Sequence, residues 1–432
     1  ARTCLYNYLF AKANGGKLIL RVEDTDLERS KREFEKSQIE DLKWIGIEYD
    51  EGPDRPGDFG PYRQSERLEI YKKYSERLLE EGKAFYCFCT EKELEKMKEL
   101  AIEEGRDPHY DGTWRDLSLA DAKKKIANGE TAVVRFKVKE KDYLLNDEVR
   151  GEVRFPKNMV GDFVIMRSNG MPTYNFCCAV DDIEMKITHI IRGEDHLNNT
   201  LRQLMVYEAL DENPPSFSHV SLLVGEDRQK LSKRHGATSV SQYREQNYLP
   251  NALGNYLCLL GWSHPDEKDI FSLEEISKGF NLKRFSKSAA LYDIEKLNWV
   301  NGQHLKLLSE NELLLMANHA LKNNENYNNK TDDWKKRFLN LYKEKVNTLM
   351  DLENFISEIF NTEFDKTEEL SEVFGWESTP KIQFFLKERL EEFNQSEVKN
   401  ISTEELENWM STLKKEYKIK GKFLFMGLRA VL

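Results

Sequence analysis

Lys230-Leu231-Ser232-Lys233-Arg234-His235-Gly236 sets basic side chains around a serine and closes on a glycine. That composition suits a clamp on phosphate groups, with lysines as point charges and small residues that admit close backbone approach. It equally suits a solvated loop or a simple nucleic-acid contact. Arg21-Val22-Glu23-Asp24-Thr25-Asp26 crowds three carboxylates into four residues. Such a cluster repels itself unless it meets a cation, an ammonium group or backbone amides, or caps a helix. The third candidate combines Pro172-Thr173-Tyr174-Asn175-Phe176 with Ile191-Arg192-Gly193-Glu194-Asp195-His196. A strand-end guanidinium beside a tyrosine hydroxyl suits a bidentate grip on a small carboxylate. Taken singly, Tyr174 also fits a half-buried core aromatic, and Arg192 a partner for a structural aspartate.

These groups need a scaffold. Apolar spacing at Leu5, Tyr8 and Leu9 predicts an opening helix. The run Lys17 to Val22 reads as a short buried strand with the acidic turn at its carboxyl end. A helix follows from Ser65 to Glu81. Between Cys87 and Pro172 the texture becomes α+β, with alternating strands expected at 131–138 and 149–155. The βα texture returns with a strand at Thr173 to Phe176, on which Cys177 and Cys178 also fall, then a buried strand at Ile187 to Arg192 and a helix carrying Leu201, Leu204, Met205 and Leu210. Together these read as one open sheet broken by an insertion, with ligands expected at the carboxyl ends of its strands. Beyond Gly236 strand signals fade and helices dominate. Asn323 to Asp333, rich in asparagine, reads as a solvated loop.

Composition bounds the function. The 432 residues carry a net charge of −11, with 39% hydrophobic and 33% charged residues. That describes a core-forming protein of several domains, not a disordered chain. No stretch approaches the ~18 apolar residues of a membrane helix, so no membrane partner is expected. The 6 cysteines are too few and too clustered for a disulfide scaffold, which fits a reducing compartment. An acidic chain must meet any polyanion through local patches.

The motifs together resemble the bacterial-type glutamyl-tRNA synthetases, class I aminoacyl-tRNA synthetases. The carriers are ARTCLYNYLF at the start, RVEDTD, GPYRQSER (Gly60 to Arg67), PTYNF, IIRGEDH, NYLCLLGWSH (Asn255 to His264) and KLSKRHGA as a variant of the KMSKS signature. The resemblance implies an α/β fold: a Rossmann-like doubly wound catalytic domain (1–86 and 173–236), an inserted acceptor-end-binding domain (87–172), a helical stem-contact domain (237–308) and a helical anticodon-binding region (309–432). It implies ATP-dependent joining of L-glutamate to tRNA(Glu) through a glutamyl-adenylate, with ATP and Mg²⁺ required. By the same likeness Lys233, helped by Lys230, stabilises the phosphates, and Glu23 holds the α-ammonium of glutamate. Tyr174 and Arg192 read its side-chain carboxylate, while Asp195, His196, Leu222, Leu223, Leu231 and Lys233 surround ATP. A monomer in a bacterial cytoplasm, or in an organelle, is expected.

Some features depart from the family pattern. The family's HIGH motif, with the strand before it, is expected upstream of Ala1, and further anticodon-binding sequence beyond Leu432. Some relatives bind zinc in the insertion through paired cysteines. Cys87 and Cys89 match the first pair, but His109-Tyr110-Asp111-Gly112-Thr113-Trp114-Arg115 offers no second cysteine, so no metal site is expected. Rival readings are a glutaminyl-tRNA synthetase, whose anticodon module is a β-barrel, and a non-catalytic tRNA-binding or scaffold paralogue.

Overall fold

Helix Arg2–Ala13 turns Leu5, Tyr6 and Leu9 fully inward, each such side chain stabilising the fold by about 1.5–3 kcal/mol. Arg2 goes in with them. Its guanidinium donates to Leu260 O at 2.8 Å and to Ser221 O, and the Tyr6 hydroxyl donates to Leu260 O at 2.6 Å. The computed structural model describes residues 1–26, 30–231, 239–361, 368–394 and 401–431. They form two compact units, Ala1–Ile356 and Ser357–Leu432.

In the first unit the parallel strands His189–Gly193 and Ser216–Val220 are joined through helix Leu197–Ala209. Helix Tyr174–Glu184 packs against that crossover helix. Two expected strands differ. The segment 17–22 is extended but half-buried, and makes only isolated bridges, Ile19 to Glu51 and Val22 to Arg63. Its hydrogen bonds go to irregular neighbours, Leu20 N to Glu51 O and Val22 N to Tyr62 O, both 2.8 Å, while Ile19 and Arg21 also line a cavity. Without a continuous ladder on one side and with a void on the other, it is no buried strand. Thr173 to Phe176 is not a strand either. Thr173 is the extended residue before helix Tyr174–Glu184, and Cys177 and Cys178 are buried on that helix. The four residues imitate alternation, but over the longer window Phe176, Cys177 and Val180 recur at helical spacing. The strand ending at Gly193 is only partly buried, because it too borders the cavity.

The insertion is built on a three-stranded antiparallel sheet, Ala84–Cys87, Val133–Phe136 and Val164–Met166, beside a hairpin of Tyr143–Asp147 and Gly151–Phe155. Its Val134, Phe136, Leu145 and Phe155 share one hydrophobic core with Phe176, Leu201 and Phe217. The hairpin end also docks on the parallel pair through Glu148 N to Phe217 O, 2.9 Å. The insertion is thus welded to the layer it interrupts.

Helices then dominate, as expected. Capping boxes at Ser239, Ser272 and Ser309 start three of them, each serine paired with a Gln or Glu three residues on. One short strand, Ala290–Leu291, pairs with Leu223–Val224. The asparagine-rich stretch is not a bare loop: Asn324 caps a short helix, Glu325–Asn328, and Tyr327 is fully buried. A single aromatic anchors a segment whose composition reads as solvated. In the second unit, helices Ser378–Asn394, Thr403–Lys415 and Lys422–Val431 enclose Ile382, Phe385, Leu386, Leu413 and Leu424. Gly427 makes that packing possible, since a Cβ there would lie 2.6 Å from Ile382 Cδ1.

Candidate functional site

A cavity of about 810 Å³ opens between the segment 17–23 and strand His189–Gly193. Glu23, Tyr174, Arg192 and His196 all border it. Arg192 comes from the carboxyl end of the strand and Tyr174 from the first turn of the helix beside it. The Tyr174 hydroxyl lies 3.1 Å from His196 Nδ1. Burial, then the nearby Cys178 and Glu23, hold the Tyr174 phenol far above its ordinary range, so it is a fixed hydroxyl. Burial, then the Arg192 charge, lower the His196 pKa, which favours a neutral imidazole.

Arg192 has an unusual setting for a half-buried cation. Its Nη2 donates to Thr200 Oγ1 at 2.6 Å and to Gln203 Oε1 at 2.8 Å, and its Nε faces His219 Nε2 at 3.2 Å. The guanidinium also lies over the Phe217 ring at 5.2 Å. Among the described residues no carboxylate pairs with it, and its Nη1 makes no hydrogen bond. The structural-aspartate reading of Arg192 therefore fails here.

The acidic segment divides its labour. Asp24 is buried and accepts from Ser65 N (2.8 Å) and Ser65 Oγ (2.7 Å), a turn-capping role. Glu23 is more open, and accepts a hydrogen bond from the Cys178 thiol at 3.3 Å. Arg21 lies 3.5 Å from Glu23 but closer to Asp182, 2.8 Å. Asp181 in turn accepts from Arg67 Nε (2.7 Å), the Tyr71 hydroxyl and Gln64. This buried network fixes the approach of Glu23 to the cavity.

The residues expected around ATP form a second, adjoining group. Asp195 meets Lys230 at 2.8 Å. Burial pushes the Asp195 carboxyl up, but the Lys230 contact outweighs it and leaves the group below its usual range. Gly193 lets the Asp195 carboxylate lie close over the backbone, 2.5 Å from where a Cβ would stand, and a side chain there would turn that carboxylate aside. Leu222 N donates to Glu194 at 3.1 Å and Leu231 N to Leu223 O at 2.9 Å, which gathers the leucines beside the strand end. Lys233 lies outside the described residues.

Sequence reasoning missed Thr200, Gln203, His219 and Asp147, which stand behind Arg192. One signal was available: Thr200 and Gln203 are three apart on the helix that follows Arg192, the spacing of one helical face. In the insertion, Cys87, Cys89 and Tyr110 lie together, and Tyr110 and Trp114 help set the environment of the Cys89 thiol. Among the described residues no group of three or more His, Cys, Asp or Glu could hold a metal.

Comparison with known proteins divides the chain earlier than the two compact units do. Residues 1–299 match the family of class I tRNA synthetases (E and Q), catalytic domain, and residues 311–432 match an anticodon binding domain. Glutamate–tRNA ligase 1 of Caldicellulosiruptor saccharolyticus is 44% identical over 100% of this chain and 89% of its own length. The glutamate–tRNA ligase of Carboxydothermus hydrogenoformans is 43% identical over 100% of this chain and 90% of its own. A crystal structure of a glutamate tRNA ligase from Elizabethkingia meningosepticum, in complex with its amino acid, is similar with a TM-score of 0.88. It has 33% identity and covers 99% of this chain and 89% of that one. The chain belongs to the class I tRNA synthetases, with a Rossmann-like α/β catalytic domain and a helical anticodon-binding domain. Within that class it belongs to the glutamate–tRNA ligases, which favours this reading over the glutaminyl and scaffold alternatives.

Proposed function

We propose that the chain joins L-glutamate to tRNA(Glu) in two half-reactions, each assigned to residues of the cavity and its neighbour. The α-carboxylate oxygen of glutamate attacks the α-phosphorus of ATP, and pyrophosphate leaves. The terminal ribose hydroxyl of the tRNA then attacks the acyl carbon, and AMP leaves. Neither step requires a covalent enzyme intermediate, so catalysis rests on positioning and on charge stabilisation at the phosphates.

Glu23 receives the α-ammonium, and Arg192 with the Tyr174 hydroxyl receives the side-chain carboxylate. Asp195, His196, Leu222, Leu223 and Leu231 flank the adenosine, and Lys230 and Lys233 serve the phosphates. ATP would carry Mg²⁺ with it, and no step is assigned to the ion. The observation that carries this reading is Arg192, a cation whose partners among the described residues are neutral and leave one nitrogen free, on the same cavity as the carboxylate of Glu23. That pair of opposite charges across one cavity matches an amino acid with an acidic side chain. Glutamine would leave the guanidinium without an anion, and the cost of that unpaired charge supplies the discrimination.

Among the described residues no helix is long and apolar enough to cross a membrane. The free cysteines fit a reducing compartment such as a bacterial cytoplasm or the interior of an organelle, where the chain works as a monomer. The test is glutamate-stimulated ATP–pyrophosphate exchange in the presence of tRNA(Glu). Exchange with glutamate but not glutamine supports the reading, and exchange indifferent to glutamate refutes it.

A further inference from the structure

Behind Arg192 stands a fully buried pair that the reaction outlined above does not use. His219 lies on strand Ser216–Val220 and Asp147 ends the insertion's hairpin strand Tyr143–Asp147. Neither side chain is exposed at all, and His219 Nδ1 lies 2.6 Å from Asp147 Oδ2. The other ring nitrogen, Nε2, faces Arg192 Nε at 3.2 Å and Thr200 Oγ1 at 2.9 Å.

The donor inventory fixes the tautomer. A guanidinium can only donate, so His219 Nε2 must accept from Arg192, and the ring proton must sit on Nδ1. There it is donated to Asp147. Asp147 is itself held by backbone donors: Oδ1 accepts from Val149 N at 3.0 Å and Arg150 N at 2.8 Å, and His219 N is shared between Oδ1 at 3.2 Å and Oδ2 at 3.1 Å. Burial pushes its carboxyl up, but the His219 bond and these backbone donors outweigh burial and keep it an anion.

We infer that Asp147 and His219 are positioning residues for glutamate: Asp147 sets the His219 tautomer, and His219 Nε2 holds Arg192 Nε so that the free Nη1 faces the cavity. This rests on the assignment of Arg192 to the glutamate side chain. It also makes the insertion a structural contributor to amino-acid selection, since the hairpin supplies the anion that orders the pocket.

Asp147→Asn tests the relay. Val149 N and Arg150 N, which reach Oδ1 alone, keep the amide oxygen there, and the His219 N–H turns to it as well, so the amide nitrogen replaces Oδ2. It can only donate to His219 Nδ1. The ring proton moves to Nε2 and meets the Arg192 Nε–H, donor against donor. In tRNA aminoacylation by the full-length protein, the expected result is a KM for glutamate raised about 10- to 100-fold, the scale of one hydrogen bond to a charged group. The KM for ATP should stay close to wild type, while the melting temperature falls, because the mismatched donors are buried. His219→Gln offers an acceptor oxygen opposite Arg192, so it should bind glutamate better than His219→Leu. In the His219→Gln background Asp147→Asn should add no further loss.

A glutamate KM within twofold of wild type in Asp147→Asn overturns the relay, as does a parallel rise in both KM values. Arg192→Ala separates the two assignments. If it leaves glutamate KM unchanged, the pocket reading itself fails; if it raises that KM while Asp147→Asn does not, only the relay fails.

Discussion

The Lys230 ammonium rests 2.8 Å from the Asp195 carboxylate, bridging the basic segment and the carboxyl end of strand His189–Gly193. Both side chains touch solvent, at 66% and 37% exposure, so the pair contributes at most about 1 kcal/mol. A triphosphate carries more charge and can take Lys230 from Asp195. Lys233 has the larger assigned role at the phosphates. Lys233→Ala is expected to lower adenylation by about 10²–10³ with little change in glutamate affinity, and Lys230→Ala to lower it less. Pyrophosphate exchange measures both, and a loss under tenfold for Lys233→Ala contradicts its role.

Arg192→Ala is expected to abolish selection of glutamate over glutamine. Arg192→Lys should retain reduced activity, because the ammonium keeps the charge but loses the fork that donates to Thr200, Gln203 and substrate together. Steady-state kinetics with both amino acids decide it. Wild-type glutamate affinity in the alanine variant would sink the assignment.

Asp181 is fully buried and bonded to Arg67, which is 2% exposed. Asp181→Ala leaves that buried guanidinium without its carboxylate, with the carbonyls of Phe59 and Pro61 as its remaining acceptors, and is expected to cost about 3–5 kcal/mol. Urea unfolding is the measurement. A variant within 1 kcal/mol of wild type, by the order of magnitude of an exposed pair, would show that water reaches Arg67.

Two histidines should make the protein acid-sensitive. Burial, then Arg192, lower the pKa of His196, and burial lowers that of His304, whose Nε2 bonds Asn255 Oδ1 at 2.8 Å. Above the ordinary value of 6.5 both are neutral whether folded or unfolded. As pH falls below 6.5 the unfolded chain takes up protons first, so their contribution is lost toward the depressed folded pKa values. The melting temperature should drop between about pH 7 and 5.5, and drop less in His304→Gln. A His304→Gln profile parallel to wild type would remove His304 from the account.

In the second unit Lys414, Lys415, Lys418, Lys420, Lys422 and Arg429 are exposed. Lys414 lies over the Phe425 ring at 5.7 Å and Lys422 over Trp376 at 5.5 Å. If these cations meet tRNA phosphates, replacing three of the lysines by alanine should flatten the salt dependence of tRNA binding by about two to three units of slope. Nitrocellulose filter binding across a salt series measures this. An unchanged slope leaves them as solvated chain.

The sequence carried the helices better than the sheet. Leu5 and Leu9, or Leu201 and Leu204, announce their faces through spacing alone, and the serine boxes announce their starts. Glu23, Tyr174 and Arg192 stood out by chemical type, and all three border one cavity. Thr173 to Phe176 misled because four residues cannot separate a period of 2 from one of 3.6, and 17–22 misled because its partners are irregular. The support behind Arg192 was illegible for a different reason. Asp147 and His219 are 72 residues apart, and only the docking of the hairpin on strand Ser216–Val220 brings them together.

Cys178 turns the acidic segment into something that can be timed. Its thiol is buried against Glu23 on the floor of the cavity, and hydrogen bonding to Cys177, then burial, hold it protonated. The sulfur borders the cavity yet is almost fully covered, and only a thiolate reacts, so an alkylating reagent reaches it slowly and by way of the cavity. The rate of Cys178 modification is thus a stopwatch for access to the pocket, wound into the native chain without any added label. An amino acid gripping Glu23 and Arg192 at once would slow the clock.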